Sequence, residues 1–350
     1  MELRFFYNKF SIAGMLLLAI YCLSCRQKNT HRNIERSFYY WKAVFNPTAF
    51  EKKELDSLAV KTIYLKFFDV DWDNEKLQPR PKATVNIIDS SFISFEKINI
   101  IPTVFITNEC IQKLQDGEVN SLANKISSLV KSICKISLPI KAVEEVQIDC
   151  DWTIATKEKY FRLLESIKKS GIPTLSATIR LHQVKFMAQT GVPPVDRGLL
   201  MCYNMGNLKS SSIKNSILDA DELKKYTSKL SAYPLQLDIG LPLFDWYVLF
   251  RNNQFQGLVK SMDILNPAIS KINENQFAFI KDTIISDVHF KKGDVLRQEK
   301  SEYKEIMKTA EYVSDKLKNT TLRVALFHLD SITLKKYSLH ELESIYNSLL

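Results

Sequence analysis

The chain has 350 residues, of which 48 are Lys or Arg and 39 are Asp or Glu, for a net charge of +9. A body of this size buries a large core, and α/β barrels reach this length as one domain. The lysines are scattered among acids instead of forming one block with interleaved aromatics. That argues against a nucleic-acid groove and leaves attraction to an anionic membrane or an acidic glycan open.

The first residues place Arg4 and Lys9 ahead of an apolar run from about Ile12 to Leu23, followed by Ser24-Cys25. This is the layout of an export signal, too short for a comfortable membrane span. A small residue directly before a cysteine resembles the bacterial lipoprotein signal. The resemblance implies removal of residues 1–24, a lipid on Cys25, and a body held at a membrane of the cell envelope, on the periplasmic side or at the cell surface. An uncleaved N-terminal anchor is the alternative. Residues 25–34 then read as a tether and 35–350 as the folded body, whose charge is +8 once Arg4, Lys9 and Glu2 are gone. Cys110, Cys134, Cys150 and Cys202 remain in that body. Their spacing matches no zinc pattern, and Cys110 and Cys134 flank a predicted helix, too far apart to bridge. They read as buried thiols.

Short apolar runs then alternate with longer amphipathic ones, the pattern of a parallel sheet wrapped by helices. Strands are predicted near 37–45, 61–68, 99–107, 144–152, 174–182, 198–204, 235–242 and 322–328. Between the fourth and fifth, Lys157 to Ser170 has Tyr160, Leu163, Leu164 and Ile167 at helical spacing, and Gly171-Ile172-Pro173 ends it. Asp219 with Glu222, and Ser338 with Glu341, have capping-box spacing. No glycine-rich phosphate turn follows the first strand, so eight strands with helices argue for a (β/α)8 barrel over an open sheet. The connection after the seventh strand is far longer than an ordinary loop. It holds QFAFIKDTII and DVHFKKGDVL, which predicts a small inserted subdomain at about 251–300, before a helix starting near Ser301.

In such a barrel the functional residues lie at the carboxyl ends of the strands. Polar residues gather there: Trp41 and Lys42, Asp69 and Asp71, Asn108 and Glu109, Asp149 and Asp151, then Arg180, His182 and Gln183. Tyr203 and Asn204 follow, then Asp238, Asp245 and Trp246, and last His328 and Asp330. In VQIDCDWT, residues Gln147, Asp149 and Asp151 share one face of a strand while Val146, Ile148 and Cys150 share the other. On the fifth strand Ser176, Thr178, Arg180 and His182 share the inward face, and a buried arginine needs an acidic partner, for which Asp149 is the candidate. A structural salt bridge filling the barrel is the plainer explanation of that pair. For Asp69 and Asp71 the plainer explanation is a solvated loop.

VQIDCDWT and MCYN together resemble two motifs of the family-18 glycoside hydrolases, the chitinases and their relatives. These are (β/α)8 barrels with D-x-x-D-x-D-x-E on the fourth strand and M-x-Y-[DN] on the sixth. Asp149 and Asp151 match the second and third acidic positions, Val146 stands at the first, and Thr153 stands where the glutamate belongs. Met201, Tyr203 and Asn204 match the second motif in full. The resemblance implies retaining hydrolysis assisted by the substrate's N-acetyl group, an exception to the two-carboxylate scheme. It makes Asp151 the orienting carboxylate, Asp149 its support and Tyr203 a phenolic donor. Thr153 cannot protonate a leaving oxygen, and loss of a general acid forfeits roughly 10²–10⁴-fold in rate. A relocated acid is physically allowed, with Glu109 and Asp245 as candidates. Trp41, Trp152 and Trp246 offer ring faces for sugars, although aromatics are also ordinary core.

Three functions follow as expectations. The first is a membrane-tethered barrel that binds a glycan containing N-acetylhexosamine and hydrolyses it with a moved acid. The second is the same cleft used for glycan binding alone. The third and weakest is a metal-dependent hydrolase built from His182 and His328 with Asp149 or Asp238. The leading readings call for no cofactor, no metal and no nucleic acid; the partners are a saccharide and the membrane, and the chain is taken as a monomer.

Overall fold

The computed structural model describes residues 32–93, 98–139 and 142–350. Cys25 and the export segment lie outside the described residues. Eight parallel strands form the barrel: β1 (Asn33–Tyr40), β2 (Thr62–Asp73), β3 (Asn99–Ile106), β4 (Glu145–Asp149), β5 (Thr174–Arg180), β6 (Arg197–Met201), β7 (Leu237–Pro242) and β8 (Thr321–Phe327). Each pairs with its sequence neighbours, and β1 pairs with both β8 and β2, so the sheet closes on itself. This is the α/β (β/α)8 barrel expected from the alternation of apolar runs.

Strand parity explains the closure. Phe38, Tyr40, Ile63, Leu65, Val146, Ile148, Leu175, Ala177, Leu322 and Val324 point outward into one core shared with the helices. The main helices are α1 (Ala49–Ser57), α2 (Val119–Ser137), α3 (Lys157–Lys169), α4 (Tyr303–Lys316) and α5 (Leu339–Asn347). The alternate residues fill the barrel, where Tyr39 and Tyr64 stack at 4.9 Å above Ile101, Leu199 and Ala325 in one interior cluster. Gly240 belongs to this interior, since a Cβ there would lie 2.9 Å from Leu199 Cδ2.

Several boundaries differ from the predicted ones. β1 starts at Asn33, inside the expected tether, because Arg32 ties the chain to the carbonyls of Asn319 and Leu349, each at 2.9 Å. β2 runs on to Asp73 and turns back on Gln78–Lys82 as an antiparallel hairpin. Asp69 and Asp71 therefore belong to a paired strand and not to a solvated loop. Asp69 binds Lys66 at 2.9 Å and Asp71 binds Lys82 at 2.6 Å. Cys110 and Cys134 fall on different helices, Asn108–Lys113 and α2, and the four cysteines of the body are free and buried.

The insertion after β7 begins at Asp245, earlier than predicted. Its five-stranded antiparallel sheet has the order Gln254–Val259, Asp245–Arg251, Val295–Lys300, Gln276–Phe279, Ile269–Lys271, and a hairpin joins Thr283–Ile285 to Val288–Phe290. It has its own core of Tyr247, Leu249, Phe277, Phe279, Phe290 and Leu296. Among the described residues no helix is long and apolar enough to cross a membrane.

Candidate functional site

The carboxyl ends of the strands open into a cleft of about 850 Å³. Trp41 enters it after β1, Phe105 from the end of β3, Asp149 from β4, Arg180 from β5 and Met201 from β6, while Tyr203 and Asn204 follow β6. Phe327 ends β8, and His328, Asp330 and Lys336 come after it. The insertion adds a wall of Asp245, Trp246, Tyr247, Lys260, Ser261 and Met262.

The register of β4 on β5 decides which groups meet. Gln147 lies beside Ser176 and Ile148 beside Ala177, so two residues per step bring Asp149 to Thr178 and Asp151 to Arg180. Thr178 Oγ1 accordingly donates to Asp149 Oδ1 at 2.6 Å. Arg180 presents Nε to Asp151 Oδ1 and Nη2 to Oδ2, the latter at 3.3 Å. The partner of Arg180 is thus Asp151 and not Asp149, which ends one layer deeper in the barrel. Asp149 is 3% exposed. Burial, with the like charge of Asp151, pushes its pKa above the usual carboxylate range, against the pull of Arg180. Arg180 is partly buried, but Asp149 and Asp151 hold its protonation above the ordinary guanidinium value.

Tyr203 packs its ring edge-on to Phe244 and tilted on Phe327, and its hydroxyl is buried without a hydrogen-bond partner. Such an orphan is an expense of about 1–3 kcal/mol unless something accepts from it. Burial raises its pKa well beyond that of a free phenol. Asn204, next in sequence, has φ 56°, a left-handed conformation that asparagine tolerates. Trp246 Nε1 donates to Glu299 Oε2 at 2.7 Å, which holds its ring plane in the wall. Lys42 binds Asp330 at 2.7 Å, and this pair keeps Asp330 below the usual carboxylate range despite its partial burial. His328 is pushed down to about 4 by burial, and its Nδ1 has no partner.

Four predicted site residues, Trp152, Glu109, Asp238 and His182, lie outside this cleft, and two more, Asp245 and Trp246, reach it from a different element. Trp152 is fully buried, stacked on Tyr160 at 5.3 Å with its Nε1 donating to Thr190 O; lying between inward Asp151 and the next turn, it faces the helices as Cys150 does. Glu109 sits on the outer surface of Asn108–Lys113, paired with Lys113 at 2.6 Å, and does not line the cleft. Asp238 is the second residue of β7 and so lies at the amino ends of the strands, bound by Arg197 Nε at 2.7 Å and Nη2 at 2.6 Å. Asp245 and Trp246 line the cleft, but from the first strand of the insertion and not from β7. His182 has left β5 for the short helix Leu181–Lys185 and faces a second cavity of about 430 Å³ with Thr153. That cavity shares Asp151, Arg180, Tyr203 and Asn204 with the first. His182 and His328 therefore do not converge, and the described residues hold no group of three side chains suited to a metal ion.

Phe105, Phe244, Phe327, Lys260 and Lys336 line the cleft without having been singled out from sequence. Phe105 and Phe327 were legible by parity, sharing the inward face with Thr103 and Ala325. Lys260 carries no local signal, because only the packing of the insertion beside the barrel brings it there.

No protein-family model matches the chain, and no curated protein matches it. Solved structures do. A chitinase from Chromobacterium violaceum superposes with TM-score 0.53 at 10% identity, covering 90% of this chain and 97% of the other. The group IV chitinase of Ostrinia furnacalis gives 0.52 at 11% identity, over 91% and 100%. The Bacillus cereus spore cortex-lytic enzyme SleL gives 0.51 at 13% identity, over 91% and 75%. What this chain has in common with these chitinase-like enzymes is the fold, a closed barrel of eight parallel strands wrapped by helices.

Proposed function

We propose that the chain is a saccharide-binding barrel that holds an oligosaccharide in the cleft without cleaving it by the glutamate route. The observation that carries this reading is the combination at one rim of a carboxylate pair, an unsatisfied phenol and aromatic walls; the motif resemblance adds that Thr153 stands where the acid would be. Thr153 is engaged locally, its backbone N–H bonded to Thr156 Oγ1 at 2.9 Å, and it opens to the second cavity. The carboxylates that face the cleft are engaged as well: Asp151 by Arg180, Asp330 by Lys42 and Asp245 by Lys336. Asp149, which also lines the cleft, is 3% exposed and engaged by Thr178 Oγ1. Trp41, Trp246 and Phe327 supply the apolar faces that sugar rings stack on, and Asp151 with Tyr203 suits an acetamido group. The likeness in fold to chitinases supports the choice of ligand class.

Calorimetric titration of the soluble body with chito-oligosaccharides, followed by chromatography of the same samples, tests the proposal. Binding heat with no new reducing ends is the expected result; absence of binding by any oligosaccharide overturns it. A second reading, hydrolysis with Asp245 as relocated acid, draws on the position of Asp245 beside Trp246 in the cleft wall. It requires new reducing ends that vanish in Asp245→Asn. The tether at Cys25 belongs to the same proposal and rests on sequence: Cys25→Ser should move the protein from the membrane fraction to the soluble one.

A further inference from the structure

The charges around the cleft are nearly all matched within the protein. Arg180, Lys42 and Lys336 each hold a carboxylate, and Asp149 is closed in beneath them with Thr178 as its donor. Lys260 differs. It stands exposed at the rim directly after the strand Gln254–Val259, and among the described residues it makes no ion pair or hydrogen bond. It lines the cleft together with His328. Beside it are Ser261 and Met262, with Trp246 held in plane by Glu299 in the same wall.

An ammonium next to a ring face contributes little to a neutral sugar, which offers only hydroxyls that water already satisfies. A sugar carrying a carboxylate gains a charge-assisted contact while its ring stacks. The carboxylates that line the cleft are engaged elsewhere, so the lysine has no internal counterion to give up first. We propose that the cleft selects an acidic saccharide of the uronate class, with Lys260 as the residue that recognises its carboxylate. This rests on the saccharide-binding reading above and narrows its ligand.

The test compares three probes by titration at low and high salt: a hyaluronan hexasaccharide, the same hexasaccharide with its carboxylates reduced to alcohols, and chitohexaose. The intact acid should bind roughly five- to tenfold more tightly than its reduced form, the scale of one charge-assisted contact at a half-open rim. High salt should narrow that ratio. Lys260→Gln should bring it to about one, and Lys260→Arg should keep it. Equal affinities for the acid and its reduced form, or a ratio that Lys260→Gln leaves unchanged, overturn the proposal while the saccharide-binding reading stands. If none of the three binds, both fall together.

Discussion

Tyr203 shows how one side chain separates a structural role from a functional one. Its hydroxyl is buried and has no partner, so removing it breaks no hydrogen bond in the free protein. Tyr203→Phe should therefore leave the unfolding free energy within about 0.5 kcal/mol or raise it, since the desolvation of an unpaired hydroxyl is relieved. Oligosaccharide affinity should fall by roughly five- to tenfold if the ligand accepts from that hydroxyl. Denaturant titration beside calorimetry reads both effects, and a stability loss without an affinity loss would assign the phenol to packing. His328 gives a pH dependence. Its pKa is depressed in the folded state to about 4 against about 6.5 unfolded. Its contribution is thus complete above pH 6.5 and is lost as pH falls from there through 4, about 3 kcal/mol in all. His328→Gln should remove most of that slope in unfolding measured from pH 7 to 4, and the remaining part belongs partly to His182, which burial also lowers.

Secondary-structure elements were legible where their signals are local. Ser338 and Glu341 form the predicted reciprocal cap of α5, and Asp219 caps Ala220–Lys224 from one side, accepting from the N–H groups of Asp221 and Glu222. α3 runs over Lys157–Lys169 as its periodicity requires. The insertion was visible as a long connection with strand-like pieces, yet its attachment to the barrel was not. That attachment is a buried pair, Arg297 with Glu299 at 2.7 Å, both about 1% exposed or less. Arg297 donates to Ser210 O at 2.6 Å, and Glu299 accepts from Ser216 Oγ at 2.6 Å as well as from Trp246. Both residues lie on the inserted strand Val295–Lys300, and their hydrogen bonds to Ser210 and Ser216 tie that strand to the loop after β6 while Glu299 orients a ring of the cleft. Arg297→Met should lower stability by about 3–5 kcal/mol, because it strands a buried carboxylate, and should weaken saccharide binding through the loosened Trp246. Thermal unfolding that matches the parent protein would show that the sheet is held by its apolar contacts instead.

For the whole molecule, the same logic operates at the amino ends of the strands. Arg323 on β8, 6% exposed, reaches Glu35 of β1 at 2.7 Å, Tyr64 of β2 at 3.0 Å and Glu145 of β4 at 3.0 Å. A single guanidinium therefore spans the barrel interior at the end opposite the cleft, where the interior carries charge instead of apolar filler. Arg323→Met should lower the unfolding free energy by about 3–5 kcal/mol, as expected for a buried network left without its cation. Lys113→Met, which breaks only exposed contacts, the pair with Glu109 and the hydrogen bond to Asn74, should change it by less than about 1 kcal/mol. Denaturant midpoints for the two variants measured side by side decide the matter, and equal effects would mean that Arg323 is not what holds this end together.

Alternation of apolar and polar residues, read along the chain, already specified eight strands, their inward faces and the gathering of polar side chains at one rim, because parity and periodicity are properties of consecutive residues. VQIDCDWT told which carboxylates point inward. Partners required the fold. Arg180 meets Asp151 and not Asp149 through the register of two strands, Asp238 lies at the far rim because β7 continues past it, and Lys260 reaches the cleft through the packing of a separate sheet. These pairings join residues far apart in the chain, and only the closed barrel brings them to contact distance.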